Sequence, residues 1–406
     1  IAGGGMAGLT MALALDKTGL RVAVVERAPL SVLRTPAHDG RTSAISFGTA
    51  RIFEGIGVWE TMLKDAQPIY DIRVVDGNLT EGVSSLFLHY DHQELISDDV
   101  VPPGSPFGYI LENRTIRAAL SDAVDASGIQ LFAPAELASV DRDAYSAVGV
   151  LADGRRIKAT LTIGADGRNS PLRRAADIRA TDIRYKQSSI VCTVSHERPH
   201  AGVAVELFLP GGPFAMLPMT GQRTNIVWSE QTELVAGLLA LDESAFLAEL
   251  SRRFGDWLGE LTLAGPRSAF PLGLMHAERY TDTRLALIGD AAHAIHPIAG
   301  QGFNMGLRDI AALAESVADA QRLGLDIGSA TVLARYERCR RFDNTLLVAV
   351  TDGLTRLFSN DLPPLRGARD IGLAAVGIIP PLKQDLMRHA MGVVGTLPRL
   401  IRGDPL

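Results

Sequence analysis

Three glycine-bearing loops, each placed after a short apolar run, carry the residues in this sequence that could do chemistry. The first is Gly3-Gly4-Gly5-Met6-Ala7-Gly8, with the G-x-G-x-x-G spacing of a strand-to-helix turn. In such a turn Gly3 allows the tight bend, Gly5 lets backbone approach a pyrophosphate, and Gly8 lets the helix pack closely on the strand. The phosphates would lie on the free N–H groups of a helix beginning near Met6. Residues 9–18 are rich in Ala, Leu and Met with Gly19 as a stop, and the run Arg21-Val22-Ala23-Val24-Val25 reads as a strand that ends in Glu26-Arg27. Glu26 stands about twenty residues past the turn, where a carboxylate accepts from the hydroxyls of an adenosine ribose. Only Ile1 and Ala2 precede the turn, so the chain is expected to begin inside the first strand, with a few residues missing upstream.

The second loop follows Thr162-Ile163-Gly164-Ala165 and contains Asp166-Gly167, with Ser170 as N-cap and Pro171 at the first position of a helix. Alone, Asp-Gly is a common turn. The third loop changes its meaning: Leu285-Ala286-Leu287-Ile288 breaks at Gly289-Asp290 and continues through His296-Pro297 to Gly300-Gln301-Gly302-Phe303-Asn304. A strand ending in an acid, then a glycine loop, then a helix opening near Asn304, can hold a polyol chain and present a positive helix end to an anion.

Other chemistries fit less well. His293 and His296 lie three apart, but Pro297 breaks any helix that would aim both at one metal ion, and no cysteine or acidic cluster joins them. Ser170 lacks the G-x-S-x-G turn of a hydrolase nucleophile and serves better as a helix cap. Cys192 and Cys339 form no C-x-x-C pair and read as reduced thiols. A net charge of -6 without basic blocks argues against nucleic acid. With 406 residues, of which 47% are hydrophobic and 21% charged, the chain can bury the core of a protein of two or three domains, and no run reaches the ~20 apolar residues of a membrane span.

Taken together, the three loops resemble those of flavoprotein hydroxylases of the para-hydroxybenzoate hydroxylase fold. The stretch His296-Pro297-x-Ala299-Gly300-Gln301-Gly302-Phe303-Asn304, with Gly306, is similar to the motif of the UbiH/UbiF/VisC-type ubiquinone-biosynthesis monooxygenases. Asp39-Gly40-Arg41-Thr42-Ser43, Glu112-Asn113-Arg114, Tyr185-Lys186-Gln187 and Gly212-Pro213-Phe214-Ala215-Met216-Leu217-Pro218 extend the resemblance along the chain. It implies FAD as cofactor, with Gly3, Gly5 and Gly8 at the pyrophosphate, Glu26 at the adenosine ribose, and Met6, Ala7, Arg27, Arg41 and Arg114 as further contacts. It also implies that Gly289 and Asp290 meet the ribityl chain, that Asp166 and Gly167 serve both FAD and NAD(P)H, and that Pro297 and Gly300 to Asn304 face the flavin edge. The implied activity is hydroxylation of a polyprenyl phenol in ubiquinone biosynthesis, with NAD(P)H as electron donor and dioxygen as the oxygen source. No general base is nominated, and the reaction is expected at the flavin-edge loop of His296, Pro297, Gly300, Gln301 and Gly302. Alternatives are a hydroxylase of a small soluble phenol, a flavin-dependent polyprenyl reductase, or a non-catalytic flavoprotein scaffold of a biosynthetic complex.

The expected architecture is α/β: a three-layer, Rossmann-like FAD domain from residues 1–75, 107–178 and 270–330, and an interleaved, mostly antiparallel substrate sheet from 76–106 and 179–269. Residues 331–406 are expected to form a helical region. Strands are expected at 189–194, 203–208, 214–218 and 224–228, and helices at 233–240, 243–254, 310–323 and 332–358. In the tail, residues 362–395, apolar patches such as 371–379 alternate with Lys383 and Arg388, and prolines break the helices. They read either as a cover for the core or as a surface facing a membrane or partner. The expected location is cytoplasmic with peripheral contact at the inner membrane face, and self-association is left open.

Overall fold

The computed structural model describes residues 1–34, 39–78, 82–358 and 379–406. Apolar triplets build the first sheet. Gln130–Phe132 pairs in parallel with Ala23–Val25, and Ala2 bridges Val25 to Gly164. Thr162–Gly164 then pairs in parallel with Leu285–Leu287, and Thr281–Asp282 closes that edge antiparallel. The short segment at Ala2 is thus the central strand, and all three glycine loops leave neighbouring strands at the same end of the sheet. The helices Met6–Asp16, Asn113–Asp125 and Gln301–Arg322 share one apolar core with these strands.

A nine-stranded sheet forms the second layer, antiparallel except where Val203–Leu209 runs parallel to Asp71–Asn78. The strands expected at 189–194, 203–208, 214–218 and 224–228 lie within Ala180–His196, Val203–Leu209, Gly212–Met219 and Arg223–Gln231. Asp71–Asn78 and Ser268–Ala277, across which two expected domain boundaries fall, each belong to this sheet throughout their length. One face lies under the helices Thr232–Ala240 and Glu243–Phe254, with Trp228, Phe214 and Phe246 between them. The helix Glu243–Phe254 starts where Asp242 accepts the Ala245 N–H at 2.8 Å and ends at Gly255, whose φ of 76° a side chain would resist. Both faces are covered, which explains why the strands read as nearly continuous apolar runs.

One expectation changes, and one of the two readings of the tail gains a structural basis. The third-loop helix opens at Gln301, about one turn before Asn304, because Gly300 at φ 61° turns the chain into it. The tail helix Pro380–Ala390 covers the core: Met387 and Met391 are fully buried against Val101 and Phe107. Lys383 pairs with Glu94, and Arg388 donates to Asp98 at 2.7 Å, so the two cations offered for a membrane are already engaged. The apolar patch at 371–378 lies outside the described residues. Among the described residues no helix is long and apolar enough to cross a membrane.

Candidate functional site

Where the parallel strands end, the three loops come together. A Cβ built on Gly3 would lie 2.3 Å from the Ala165 carbonyl of the second loop. One built on Gly289 would lie 3.5 Å from the Ala7 side chain, and Gly306 packs against Gly289 at a corresponding 3.2 Å. At Gly3 and Gly306 backbone meets backbone too closely for a side chain, whereas at Gly289 the Ala7 contact is an ordinary one and the φ of 55° favours glycine. Gly5, in contrast, is exposed at the uncapped start of Met6–Asp16, and a Cβ there would meet nothing within 4 Å. That space, beside free helix N–H groups, suits a pyrophosphate.

Glu26 supports the first loop directly: its two carboxylate oxygens accept the Gly4 N–H at 2.6 Å and the Ala28 N–H at 2.7 Å. Each oxygen keeps a lone pair for a ribose hydroxyl. Arg27 is exposed beside it. In the second loop, Gly167 takes φ 80°, and Asp166 accepts the Leu172 N–H at 3.1 Å through Oδ2, while Oδ1 is buried with no hydrogen-bond partner among the described residues. Burial pushes the Asp166 carboxyl above the usual range. Asp290 is solvent-accessible yet crowded by surrounding protein, which raises its carboxyl as well, against the nearby charges of His293, Arg168 and Arg41. An accessible group in crowded surroundings is the floor of a cleft.

Arg41 is fixed at that cleft by Asp39, which it meets at 2.5 Å, and by Phe270, whose ring centre lies 5.0 Å from the guanidinium carbon. Arg114 behaves differently. It is bound to Glu112 and lines a cleft of about 470 Å³ with Arg34, Lys64 and Arg223. The arginine that shares the surroundings of Arg41 and Asp39 is Arg117, whose guanidinium is lowered by burial and then by the Arg41 charge. Its signal in the sequence was its position three residues beyond Arg114, on the same helix face.

Asn304 was expected at the flavin edge, but its side chain is fully used by protein. Its oxygen accepts the Ser46 N–H at 3.0 Å and the Thr49 hydroxyl at 2.7 Å, and its nitrogen donates to the carbonyls of Ala44 at 2.8 Å and Gly300 at 3.2 Å. It clasps the flavin-edge loop to the strand Thr42–Ser46, leaving the backbone of Gln301, Gly302 and Phe303 as the open donors of the helix start. His296, after which Pro297 leads into the turn Ile298–Gly300, is fully buried, and both ring nitrogens are unpartnered among the described residues. Burial lowers it to about 4, so the imidazole is neutral near pH 7, edge-on to Tyr185 at 5.6 Å. His293 instead meets Asp309 at 2.5 Å. The sequence reading assigned no role to Asp309 or Glu206, though Glu206 is a lone acid in an otherwise apolar run and Asp309 follows Arg308 at the head of one.

The residues fit FAD. Orphaned buried polar atoms, open helix starts and unfilled space at Gly5 and Gly302 are what a ligand would complete. A Cβ on Gly302 would have only Ile295 near it, at 3.9 Å, so protein packing does not require glycine there. Gly302→Leu is therefore expected to leave the apoprotein's melting temperature within a few degrees of wild type while lowering FAD affinity about tenfold or more, as read by flavin fluorescence titration. Unchanged affinity would place the flavin edge elsewhere.

A family model described as FAD binding domain matches residues 1–348. The ubiquinone hydroxylase UbiL of Rhodospirillum rubrum is 48% identical, over 100% of this chain and 92% of that protein. The 3-demethoxyubiquinol 3-hydroxylase of Escherichia coli is 34% identical, over 97% of this chain and 98% of its own. Among solved structures, p-nitrophenol 4-monooxygenase PnpA of Pseudomonas putida superposes with a TM-score of 0.78 at 18% identity, covering 97% of this chain and 98% of that one, a likeness of fold.

Proposed function

Because the chain belongs to the FAD binding domain family, we propose that it is an FAD-dependent monooxygenase that hydroxylates a polyprenyl phenol in ubiquinone biosynthesis. The observation that carries this reading is the meeting of three glycine loops at one end of the parallel sheet, opposite an apolar face of the large sheet. FAD, reduced by NAD(P)H, supplies the activation of dioxygen. The chain supplies the rest. Gly3, Gly5, Gly8 and Glu26 would hold the adenosine diphosphate half, Arg41, Asp166 and Asp290 the ribityl side, and the backbone from Gly300 to Phe303 the flavin edge. A helix start stabilises negative charge on the ring system it faces. Phe208 of the large sheet packs on Ile298 of that loop, closing one side of the space between the layers against water. On the same face Ile72, Val74, Ala204 and Leu217 continue the apolar wall into the core packed by Met387 and Met391. A peripheral contact with a membrane holding such substrates belongs to this proposal.

The test is direct. Purified chain reconstituted with FAD, given NAD(P)H, oxygen and a short-tailed 2-polyprenyl phenol, should yield a phenol that has gained one oxygen atom. Cells lacking the chain should accumulate the quinone precursor one hydroxyl short, which identifies the ring position. A preparation that takes up no flavin, or that consumes NAD(P)H without oxygenating any phenol, would overturn the reading.

A further inference from the structure

Glu206 is the only charged residue of the strand Val203–Leu209. Alternation turns Val205, Leu207 and Leu209 toward the helices on one side of the sheet, where they meet Phe246 and Trp228. It turns Ala204, Glu206 and Phe208 to the other side, where Phe208 packs on Ile298 of the flavin-edge loop. Glu206 stands there between Val74 and Ala215 of the neighbouring strands, both apolar. Its side chain is partly accessible and yet enclosed by protein, as a residue in the wall of an internal cavity would be. Among the described residues no donor or cation meets its carboxylate. A lone carboxylate in an apolar wall costs stability that no structural contact here offsets.

We propose that Glu206 receives the phenolic hydroxyl of the substrate and accepts its proton, an assignment that rests on the chain being a phenol hydroxylase. In this step the phenol O–H bond breaks, its electron pair stays on the phenolic oxygen and enriches the ring, and the proton forms an O–H bond on Glu206. Nothing is oxidised or reduced. Burial alone raises Glu206 to about 8, so the ionised form able to take the proton grows as pH rises through that value. Of the other titratable groups on the surrounding elements, Tyr90 on Gly82–Asp91 is raised to about 12, His296 is lowered to about 4, and Arg308 on Gln301–Arg322 is lowered to about 10. Asp76 on Asp71–Asn78 takes the Gly77 N–H at 3.1 Å, and the strand Gly212–Met219 carries no ionisable side chain.

The experiment compares FAD-loaded wild type with Glu206→Gln and Glu206→Asp, using 2-prenylphenol as probe. FAD content, phenol binding by flavin absorbance, NAD(P)H consumption and oxygenated product are read from about pH 6 to about pH 9. Glu206→Gln should keep its FAD and bind the phenol within several-fold of wild type. Its product formation should fall about 100-fold, with NAD(P)H consumption diverted to hydrogen peroxide. The wild-type rate should rise through about pH 8, the rise should vanish in Glu206→Gln, and Glu206→Asp should restore part of it. A flat wild-type profile, or a Glu206→Gln enzyme that oxygenates at the wild-type rate, overturns the assignment alone. A wild-type enzyme that holds FAD and oxygenates no phenol overturns the hydroxylase reading and the assignment with it.

Discussion

Gly5→Ala should leave the apoprotein folded and weaken FAD binding by about 100-fold or more, whereas Gly8→Ala should damage both. The two glycines belong to one motif but answer to different neighbours. Gly5 has φ -72° and ψ 180°, which alanine adopts readily, and its added methyl would meet no protein atom within 4 Å. Removing a glycine at a compatible position stabilises a chain by about 0.4–1 kcal/mol, so apoprotein melting should hold or rise slightly. The same methyl occupies the place of a phosphate and removes its approach to the helix N–H groups. Hydrogen bonds to charged groups are worth about 1.5–3 kcal/mol each, so losing one or two accounts for the expected change in affinity. Gly8 differs because its Cβ would fall 1.9 Å from the Gly3 carbonyl oxygen, and neither is the end of a flexible side chain. Helix and turn would have to separate. Apoprotein melting and FAD titration of both variants distinguish ligand space from packing space, and wild-type affinity in Gly5→Ala would remove the pyrophosphate from this loop.

That contrast explains what could be read before the structure. Glycine loops are legible because their spacing is a local signature, and some of their reasons are local too: Gly167 takes a positive φ, and the Ser170-Pro171 start of a helix needs only its own residues, with Ser170 accepting the Arg173 N–H at 2.9 Å. Strands such as Val203–Leu209 are legible as apolar runs, although their neighbours are not. Side-chain duties set by tertiary contacts stayed hidden. Asn304 looked like a ligand contact because it sits in a specific motif, yet four protein groups saturate its amide. Arg114 and Arg117 are equally good candidates on one helix, and only packing shows which stands with Arg41 and Asp39. Lys383 and Arg388 looked free for lipid because Glu94 and Asp98 are almost 300 residues away in sequence. Glu206 was hidden for the same reason: the strand order that faces it toward the flavin-edge loop is a property of the sheet.

Asp309→Asn should cost about 3–5 kcal/mol of apoprotein stability, the usual result of breaking a buried ion pair from one side. Asp309 is completely buried and gathers four contacts: Oδ2 takes the Gly289 N–H at 3.1 Å and His293 at 2.5 Å, while Oδ1 takes Arg340 and Asn344, each at 3.1 Å. Asparagine would turn a donor toward one of these donors and leave the Arg340 guanidinium with only Asp343, at 2.9 Å, to balance it. Burial works against ionisation of Asp309, but the charge and hydrogen bond of His293, with Arg340 and Asn344, hold its carboxyl at about 2. Since this folded value lies below the ordinary 3.8, its contribution is complete above that value and is lost as pH falls toward about 2. Denaturant midpoints of the apoprotein should therefore fall between about pH 4 and about pH 2 in wild type, with that part of the fall missing from Asp309→Asn. The effect should reach the cofactor as well. Asp309 fixes the Gly289 N–H, and Gly289 carries Asp290 into the cleft beside Ala7, so loosening this anchor should weaken FAD binding even though Asp309 lies behind the loop. An unchanged denaturation midpoint at neutral pH would mean that the two long helices and the third loop are held together by apolar packing alone.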